Sequence, residues 1–404
     1  MRKIVLNCKS LIMIFFVLTP FIEMINSTIL INTGGESTLG KIYRMAYICI
    51  LVYSLLVSKI NMKHFVWLVA FLGVTIIPII ICCWVNDDEF ITKLYNAIKY
   101  LLPILTLMVL QQLHSKKMIG NGFSKRVFEI YSWVLPISYF VPLLLGMGYY
   151  QYGNGRGYKG LNYMINDINI VVAIITIYSA KLLLRKRTFV NIIRFMLNIA
   201  CLLYMQTKTS IVVAVAIIIF LFINLLRGRQ AIQKFIIALV AFSVVISILY
   251  DMYETQIMVY FERLIYSYVT MTEQGYSFFE FFTTMRSSRL EDVSVLYNLN
   301  NSQGLVNLLF GLPTQDFINS EMDFFDILFS FGVFSFVYMI IFYGRYIVLA
   351  VKHYVILRSI DNLSALVEIG VILMFAAFGG HVLMSAYSGC VLALVCFEIY
   401  DQNE

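Results

Sequence analysis

Long apolar runs dominate this chain, and short polar stretches separate them. A hydrocarbon core about 30 Å thick requires roughly 20 apolar residues for each helical span. Backbone groups find no water partner there, so a spanning segment is a helix or a strand of a closed barrel. Because the runs are too long and continuous for barrel strands, the pattern predicts an all-α polytopic membrane protein with about twelve spans. The predicted spans are residues 8–26, 42–58, 64–84, 92–111, 127–147, 165–184, 189–206, 209–227, 232–250, 322–344, 362–380 and 382–398.

One long stretch, residues 251–320, interrupts this pattern because it holds no apolar run of spanning length. It is rich in tyrosine and phenylalanine, which disordered segments lack. Between residues 257 and 268, apolar residues recur at helical spacing, which indicates an amphipathic helix on the bilayer surface or on the protein's own outer face. We therefore expect one large, partly helical extracytoplasmic loop, 251–320, between spans nine and ten of a single transmembrane domain, residues 1–404.

Composition agrees with this class and excludes an ordinary soluble protein. Hydrophobic residues make up 60% of the 404 residues and charged residues 13%, whereas soluble chains carry about 25% charged residues. The formal net charge is +7, but the basic residues gather in alternate short loops rather than in one patch. This distribution indicates membrane lipid, and not nucleic acid, as the partner of the positive charge.

The alternation of basic loops also predicts the orientation. Cytoplasmic loops carry an excess of lysine and arginine, so we expect a multi-pass protein with both termini in the cytoplasm. Lys181 then belongs to an inner loop, and the outer side holds Lys41, Arg44, Lys93 and Lys99, which we expect to snorkel at helix ends. Almost all of the seven cysteines lie in apolar runs without paired spacing and are predicted to be small buried hydrophobes.

Polar groups around predicted span six are the first candidates for binding chemistry. Arg156 lies among glycines in residues 153–160, where its planar fork is unhindered and can meet a phosphate or a carboxylate. A flexible surface turn is the alternative. Asn166, Asp167 and Asn169 follow at the mouth of the span and are candidates for positioning a substrate, although Asp167 is equally suited to cap the helix.

Further candidates lie between and after the later spans. Lys208, between spans seven and eight, faces either a polar cavity or the lipid headgroups. Arg286 and Arg289 share one helical face in the large loop, and they either bind an anion or form ion pairs within a lid. His381 follows two glycines that leave room for an approaching group, and a structural role at a helix end is its alternative. The acidic cluster expected to face the two arginines is Glu321, Asp323 and Asp326.

Four short stretches support a family resemblance. They are Thr19–Asn26; Gly155-Arg156-Gly157 before Asn166-Asp167-Ile168-Asn169; Ser288-Arg289 before Leu309-Phe310-Gly311; and Glu321–Leu328 with Gly332. In this order they resemble the Wzy-type polysaccharide polymerases of the O-antigen polymerase and O-antigen ligase superfamily. Ser288 stands where relatives carry glycine, and Thr207–Ser210 stands where they often carry a serine–arginine pair. Ligases of the superfamily carry a histidine near the position of Glu321, so the resemblance favours a polymerase.

The resemblance implies a GT-C-like glycosyltransferase of lipopolysaccharide or capsule synthesis. Such enzymes transfer a glycan from polyprenyl pyrophosphate to the non-reducing end of an acceptor repeat unit on the outer face of the inner membrane. It implies no metal and no cofactor, and a chain-length regulator protein is a candidate partner. The leaving pyrophosphate requires cations, and the acceptor hydroxyl requires a proton acceptor. The residues implied are Arg156, Arg289, Arg286 and Lys208 for the pyrophosphate, Glu321, Asp323 and His381 for the proton, and Asn166, Asp167 and Asn169 for positioning.

The sequence leaves two other functions open. One is a flippase for lipid-linked oligosaccharide or another secondary transporter, and the other is a different lipid-linked glycosyl or acyl transferase. Twelve spans are typical of many transporters, but no repeat relates the two halves of this chain, and its long loop is asymmetric. A transporter is also expected to hold charges at mid-membrane, where the sequence places few acids, such as Glu23 and Glu368.

Overall fold

The computed structural model describes most of the chain. The described residues are 7–34, 37–86, 90–152, 156–225, 268–283, 295–297, 302–313, 320–380 and 382–401, with residues 258, 262, 265, 266, 286, 289, 290 and 293 between them. The ninth predicted span, residues 232–250, and much of the predicted loop 251–320 lie outside the described residues.

The described chain consists of helices and one short β-hairpin. The first eight helices are α1 (Cys8–Asn32), α2 (Leu39–Ser58), α3 (Met62–Asn86), α4 (Phe90–Ser115), α5 (Phe123–Leu144), α6 (Ile165–Arg185), α7 (Phe189–Tyr204) and α8 (Lys208–Leu225). The strands β1 (Tyr150–Tyr152) and β2 (Arg156–Tyr158) lie between α5 and α6. Further helices are α9 (Phe278–Thr283), α10 (Ser302–Phe310), α11 (Asp323–Leu357), α12 (Ile360–Phe378) and α13 (Ala386–Asp401), and Val295–Tyr297 forms a 3-10 turn.

The helices agree with the apolar runs. Every predicted span except the ninth falls on one of them. Eight helices in the described part of the chain, namely α1–α6, α11 and α12, are long and apolar enough to cross a membrane. The helices α7, α8 and α13 are shorter. The expectation of an all-α membrane protein is therefore confirmed, whereas twelve crossings and the large outer loop stay predictions.

The helix α11 runs well beyond its predicted end at residue 344. Arg345 does not end it, because its guanidinium lies 4.7 Å from the ring centroid of Trp67 and 4.4 Å from that of Phe342. It also donates a hydrogen bond of 2.7 Å to the hydroxyl of Tyr346. Aromatic faces attract a cation at this distance. The bundle therefore accommodates the charge, and the helix continues to Leu357.

Short connections make several pairs of consecutive helices antiparallel neighbours, among them α1 with α2, α3 with α4 and α6 with α7. The centre of the bundle is formed by α4, α6 and α13, whose side chains are mostly buried. One end of the bundle holds the β-hairpin and the first residues of α4, α6 and α11, and it is termed the hairpin end. The other end holds the connections that precede α7 and α12, where Lys186, Arg187 and Arg358 lie, and it is termed the basic end.

The β-hairpin is fastened to α5 by Tyr158. This residue pairs with Tyr150 across the two strands. Its carbonyl accepts a hydrogen bond of 2.5 Å from the Tyr139 hydroxyl, and its own hydroxyl donates one of 2.8 Å to the carbonyl of Met147. Burial raises the pKa of Tyr158 to about 12. The hairpin is thus held against the bundle by polar contacts and does not alter the all-α class.

The helix α7 is short and carries aromatic residues at both ends. It has 16 residues, which corresponds to about 24 Å of helix. Thr188 begins it, because the threonine side chain accepts a hydrogen bond of 3.3 Å from the backbone N–H of Asn191. Phe189 is 75% exposed and Tyr204 is 43% exposed. Aromatic side chains at both ends of a spanning helix are typical of the two membrane–water interfaces, so the rings of α7 agree with the seventh predicted span, which stays a prediction.

A bend in α11 fixes the chain that precedes it. At Gly332 φ is +76°, and a Cβ there would lie 2.1 Å from the carbonyl oxygen of Leu309 in α10. The backbone N–H of Leu312 donates a hydrogen bond of 2.6 Å to the carbonyl of Phe329. The carbonyl of Leu312 accepts one of 2.6 Å from the ammonium group of Lys93 in α4. Residues 302–313 are therefore packed onto both α11 and α4.

We expect Gly332→Ala to destabilise the protein, because the new methyl group meets backbone atoms and the positive φ strains any side chain. The cost is roughly 3 kcal/mol. Thermal unfolding of the purified protein in detergent measures it as a lower midpoint. Gly344→Ala is the matched control in the same helix, since no atom lies within 4 Å of its added Cβ. Equal midpoints for the two variants would contradict the packing of α10 on the bend.

Candidate functional site

A polar cavity of about 660 Å³ lies at the hairpin end of the bundle. The helices α1, α2, α4 and α6 form it together with the first residues of α11 and α13. Ionisable and polar side chains form much of its wall, which sets it apart from the apolar interior below it. Its lining includes Glu23, Asn26, Lys41, Arg44, Tyr95, Asn96, Lys99, Tyr163, Asp167, Asp326, Ser385 and Tyr387.

Three cations gather around one tyrosine on the α2 and α4 side of this cavity. The ammonium groups of Lys41 and Lys99 lie 5.5 and 4.5 Å from the ring centroid of Tyr95. Arg44 donates a hydrogen bond of 3.1 Å to the Tyr95 hydroxyl and an ion-paired one of 3.0 Å to Glu23. These four residues, Lys41, Arg44, Lys99 and Tyr95, form the cationic wall. The prediction that these three bases snorkel at helix ends is therefore wrong, because they line a shared cavity.

The prediction for Lys93 is also wrong, for a different reason. Its side chain is 5% exposed, and its ammonium group donates to the carbonyl of Leu312 at 2.6 Å and lies 2.8 Å from the Cys82 sulfur. A buried ammonium group needs such partners. Lys93 therefore fastens residues 302–313 to α4 and does not face the cavity or the lipid headgroups.

Carboxylates from three other helices line the same cavity. They belong to Glu23 of α1, Asp167 of α6 and Asp326 of α11. Asp167 accepts a hydrogen bond of 2.8 Å from the Ser388 hydroxyl. Asp326 accepts bonds of 2.8 Å from both the backbone N–H and the hydroxyl of Ser320. These three residues form the carboxylate wall, which faces the same space as the cationic wall.

The turn between α12 and α13, residues 379–385, brings several predicted site residues together. Asp323 is fully buried and accepts bonds of 2.7 and 2.8 Å from the backbone N–H groups of Val382 and Leu383. Asn166 donates a bond of 2.8 Å to the carbonyl of Gly379. Ser385 of this turn lines the cavity. Asp323 and Asn166 therefore hold the cavity wall in position through their contacts with the turn.

Glu321 joins Arg286 and Arg289 beside this turn. Arg286 reaches one carboxylate oxygen through two nitrogens, at 2.7 and 3.1 Å, and donates a further bond of 2.7 Å to the carbonyl of Phe378. Arg289 lies 3.5 Å from the other oxygen. A Cβ on Gly380 would lie 2.3 Å from the carbonyl oxygen of Glu321. The three charged residues form the arginine–glutamate cluster, which closes over the turn.

Lys208, the first residue of α8, and Asn169 of α6 lie beside the neighbouring connection between α7 and α8. The ammonium group of Lys208 donates a hydrogen bond of 2.5 Å to the carbonyl of Phe281 and lies 4.0 Å from the centroid of that ring. Asn169 is fully buried and donates bonds of 2.6 and 3.0 Å to the hydroxyls of Thr207 and Thr209. Lys208 thus binds the loop helix α9, and Asn169 holds the connection in place.

The structure brings together some of the sequence-predicted site residues. Asp167 lines the cavity. The turn at the cavity rim is contacted by Asn166, Asp323 and Arg286, and Arg286 also contacts Glu321. The backbone of Arg156 belongs to β2, but its side chain and all of His381 lie outside the described residues. In the part of the chain that the structure describes, no cluster of metal-ligating side chains occurs.

The cationic wall is the feature that sequence reasoning missed. Lys41 and Arg44 lie about one turn apart on α2 and Lys99 lies on α4, so no single motif joins all three. The sequence does mark them in one way, because each is a basic residue predicted to lie on the outer side of the membrane, where basic residues are scarce. The sequence matches no protein-family model and none of the curated proteins with which it was compared. The geometry of the cavity and the resemblance of the four stretches are therefore the grounds on which a function is argued.

We expect Arg286 and Glu321 to be energetically coupled, because the side chains are only 15% and 32% exposed and hold a double contact. A double-mutant cycle with Arg286→Gln and Glu321→Gln should give a coupling energy of about 1–2 kcal/mol in thermal or denaturant unfolding. The matched pair is Arg194 with Glu129, at 3.7 Å and with Glu129 59% exposed. Its coupling should stay below about 0.5 kcal/mol, and equal couplings would contradict a specific arginine–glutamate cluster.

Proposed function

We propose that the protein is a polysaccharide polymerase that transfers a glycan from polyprenyl pyrophosphate to an acceptor repeat unit. One observation carries the proposal, which is that a single cavity is lined both by the bases of the cationic wall and by the acids of the carboxylate wall, which meet at the ion pair of Arg44 and Glu23. The cationic wall suits the binding of a leaving diphosphate, and the carboxylate wall suits the acceptance of a proton from a reacting hydroxyl. The family resemblance and the membrane-spanning helices support the same reaction. The proposed location of the cavity is the outer face of the bacterial inner membrane.

The proposed step forms one bond and breaks one. The acceptor hydroxyl oxygen attacks the anomeric carbon of the donor glycan, and the bond from that carbon to the diphosphate oxygen breaks. The diphosphate leaves with its polyprenyl chain and keeps the electron pair, while Asp167 accepts the hydroxyl proton. The cations Lys41, Lys99 and Arg44 stabilise the charge that develops on the leaving oxygen. A diphosphate is already an acidic leaving group, so no strong general acid is required.

The arginine–glutamate cluster is proposed to bind the donor as it approaches the cavity. Arg289 is the better placed of its two arginines, since its side chain is 40% exposed and its contact with Glu321 is the longer, at 3.5 Å. Arg286 is tied to both Glu321 and the carbonyl of Phe378. The roles of Arg156 and Lys208 in holding the pyrophosphate, and of His381 in proton transfer, stay part of this proposal. Glu321 and Asp323, first proposed for proton transfer, are instead proposed to position the site, because Glu321 pairs with two arginines and Asp323 is buried against the turn.

Transport of lipid-linked oligosaccharide is the second candidate, because one observation favours it. Lys181, Glu368 and Glu398 are buried together inside the bundle. Ionisable groups in such positions often belong to transport pathways. The sequence had offered few acids within its spans and had assigned Lys181 to an inner loop, which is wrong because its side chain is 1% exposed.

Removing one cation of the cavity should slow the proposed reaction. We expect Lys99→Met to lower kcat/KM for a defined lipid-linked repeat unit by about 100-fold, as the loss of one charge-stabilising donor does. The assay is chain extension by the purified protein reconstituted in lipid vesicles. Lys63→Met, at an exposed position of the basic end, should stay within about twofold of the unchanged protein. Equal rates for both variants would remove the cavity from the mechanism.

Cells that carry Arg289→Ala separate the two candidate functions. If Arg289 binds the donor of a polymerase, the glycan ladder should collapse to single repeat units that still reach the surface. If the protein is a transporter, surface glycan should disappear altogether. Arg187→Ala, an exposed arginine at the basic end, is the control and should retain a full ladder. A full ladder in Arg289→Ala would contradict a role for this arginine in the polymerase.

A further inference from the structure

A cluster of three charged side chains lies deep in the basic half of the bundle, away from the cavity. Lys181 of α6, Glu368 of α12 and Glu398 of α13 are 1%, 0% and 2% exposed. Lys181 and Asp167 are both on α6, and fourteen residues between them correspond to about 21 Å along the helix. These three residues form the buried triad, which is separate from the candidate site and takes no part in the proposed reaction.

The two carboxylates contact the lysine unequally. The ammonium group of Lys181 donates a hydrogen bond of 2.9 Å to Oε1 of Glu398, whereas it lies 3.9 Å from Oε1 of Glu368. Oε1 of Glu368 accepts a bond of 2.9 Å from the Ser364 hydroxyl. The Oε2 atoms of both glutamates are buried and have no hydrogen-bond partner in the described part of the chain. Glu398 is therefore the ion-pair partner of Lys181, and Glu368 is left with a neutral donor.

The charges of the triad do not balance. One ammonium and two carboxylates leave a net charge of −1, and an uncompensated charge in a buried site costs several kcal/mol. A buried acid avoids that cost by keeping its proton. Because Lys181 and Glu398 already neutralise each other, the proton belongs on Glu368.

We propose that the buried triad is a proton-binding site that holds one proton at neutral pH. The ligand is a proton taken from water, and the occupied triad consists of ammonium, carboxylate and carboxylic acid with no net charge. This holds whether the protein is a polymerase or a transporter. Other titratable groups lie on the helices packed against the triad, and the test must distinguish them from it. They are Tyr178 of α6, Glu129 of α5, Arg194 of α7, His114 of α4, and Arg345 and His353 of α11, and Lys208 is at the first residue of α8.

Infrared spectroscopy tests the proposal through the carbonyl stretch of protonated carboxylic acids. The full chain is purified, placed in lipid nanodiscs at neutral pH, and measured in water and in heavy water. The unchanged protein should show a band that shifts in heavy water and corresponds to one buried acid. Glu368→Gln should lose about one carboxyl-equivalent of this band. Glu398→Gln should lose the same amount, because Glu368 then ionises to pair with Lys181.

Lys181→Met should change the band in the opposite direction, which distinguishes a proton-binding site from acids that are only buried. In Lys181→Met two acids remain without a cation, so both should hold protons and the band should gain about one carboxyl-equivalent. Glu129→Gln, at an acid that is 59% exposed, is the matched control and should leave the band unchanged. Unchanged bands in both Glu368→Gln and Glu398→Gln would overturn the proposal, since both acids would then be ionised in the native protein.

Stability provides a second readout that does not depend on the spectrum. An amide is the closest mimic of a protonated carboxyl group, so Glu368→Gln should fold with a thermal midpoint like that of Glu129→Gln. A Glu368→Gln variant that fails to fold, while the control folds, also overturns the proposal, because that result means the native triad requires a second carboxylate. A midpoint within about 2 °C of the control supports it.

Discussion

The candidate site depends on how one turn is held. The chain between α12 and α13 must leave one helix and enter the next within a few residues, and the backbone N–H groups of residues 382–385 lie between the two helices, where they need acceptors of another kind. Asp323 supplies the acceptor for two of them, and Asn166 and Arg286 hold the carbonyls at Gly379 and Phe378. Three separate parts of the chain thus fix this turn, which in turn carries Ser385 and Tyr387 into the cavity wall. Loss of any one contact leaves a buried polar group unsatisfied, so the site and the fold share the same interactions.

The fold was largely readable from the sequence because lipid imposes a simple rule. Apolar runs of about 20 residues had to be helices, and the described helices lie where these runs do. The ends were harder to predict, because helices extend past their apolar segment whenever the bundle can solvate a charge. Arg345 lies against aromatic rings, so α11 continues to Leu357 although its apolar run stops earlier. Hydropathy indicates which segments can lie in lipid, but it does not indicate the contacts that a helix makes with its neighbouring helices.

The charges of the site were harder to predict than the helices. Glu321 and Arg286 share a segment dense in polar residues, and their pairing followed from opposite charge in neighbouring outer stretches. The bases Lys41 and Arg44 meet Lys99 only when α2 and α4 pack side by side, and Lys181 meets Glu368 and Glu398 only when α6 packs against the distant helices α12 and α13. Such long-range pairs leave no local pattern. The polar groups that a sequence assigns to helix ends can therefore belong to the interior, as Lys93 and Lys181 do.

The short helix α7 has a consequence for the surrounding lipid. Its interfacial rings, Phe189 and Tyr204, are fifteen residues apart, which is about 22 Å along the axis, against a hydrocarbon thickness of about 30 Å. Tilting cannot relieve this mismatch, because a tilted helix spans even less of the bilayer normal. As the seventh predicted span, α7 would instead require the acyl chains beside it to compress, at a fraction of a kcal/mol for each Å. The bilayer around such a protein would be thinner on the α7 side, a consequence of the sixteen residues of this one helix.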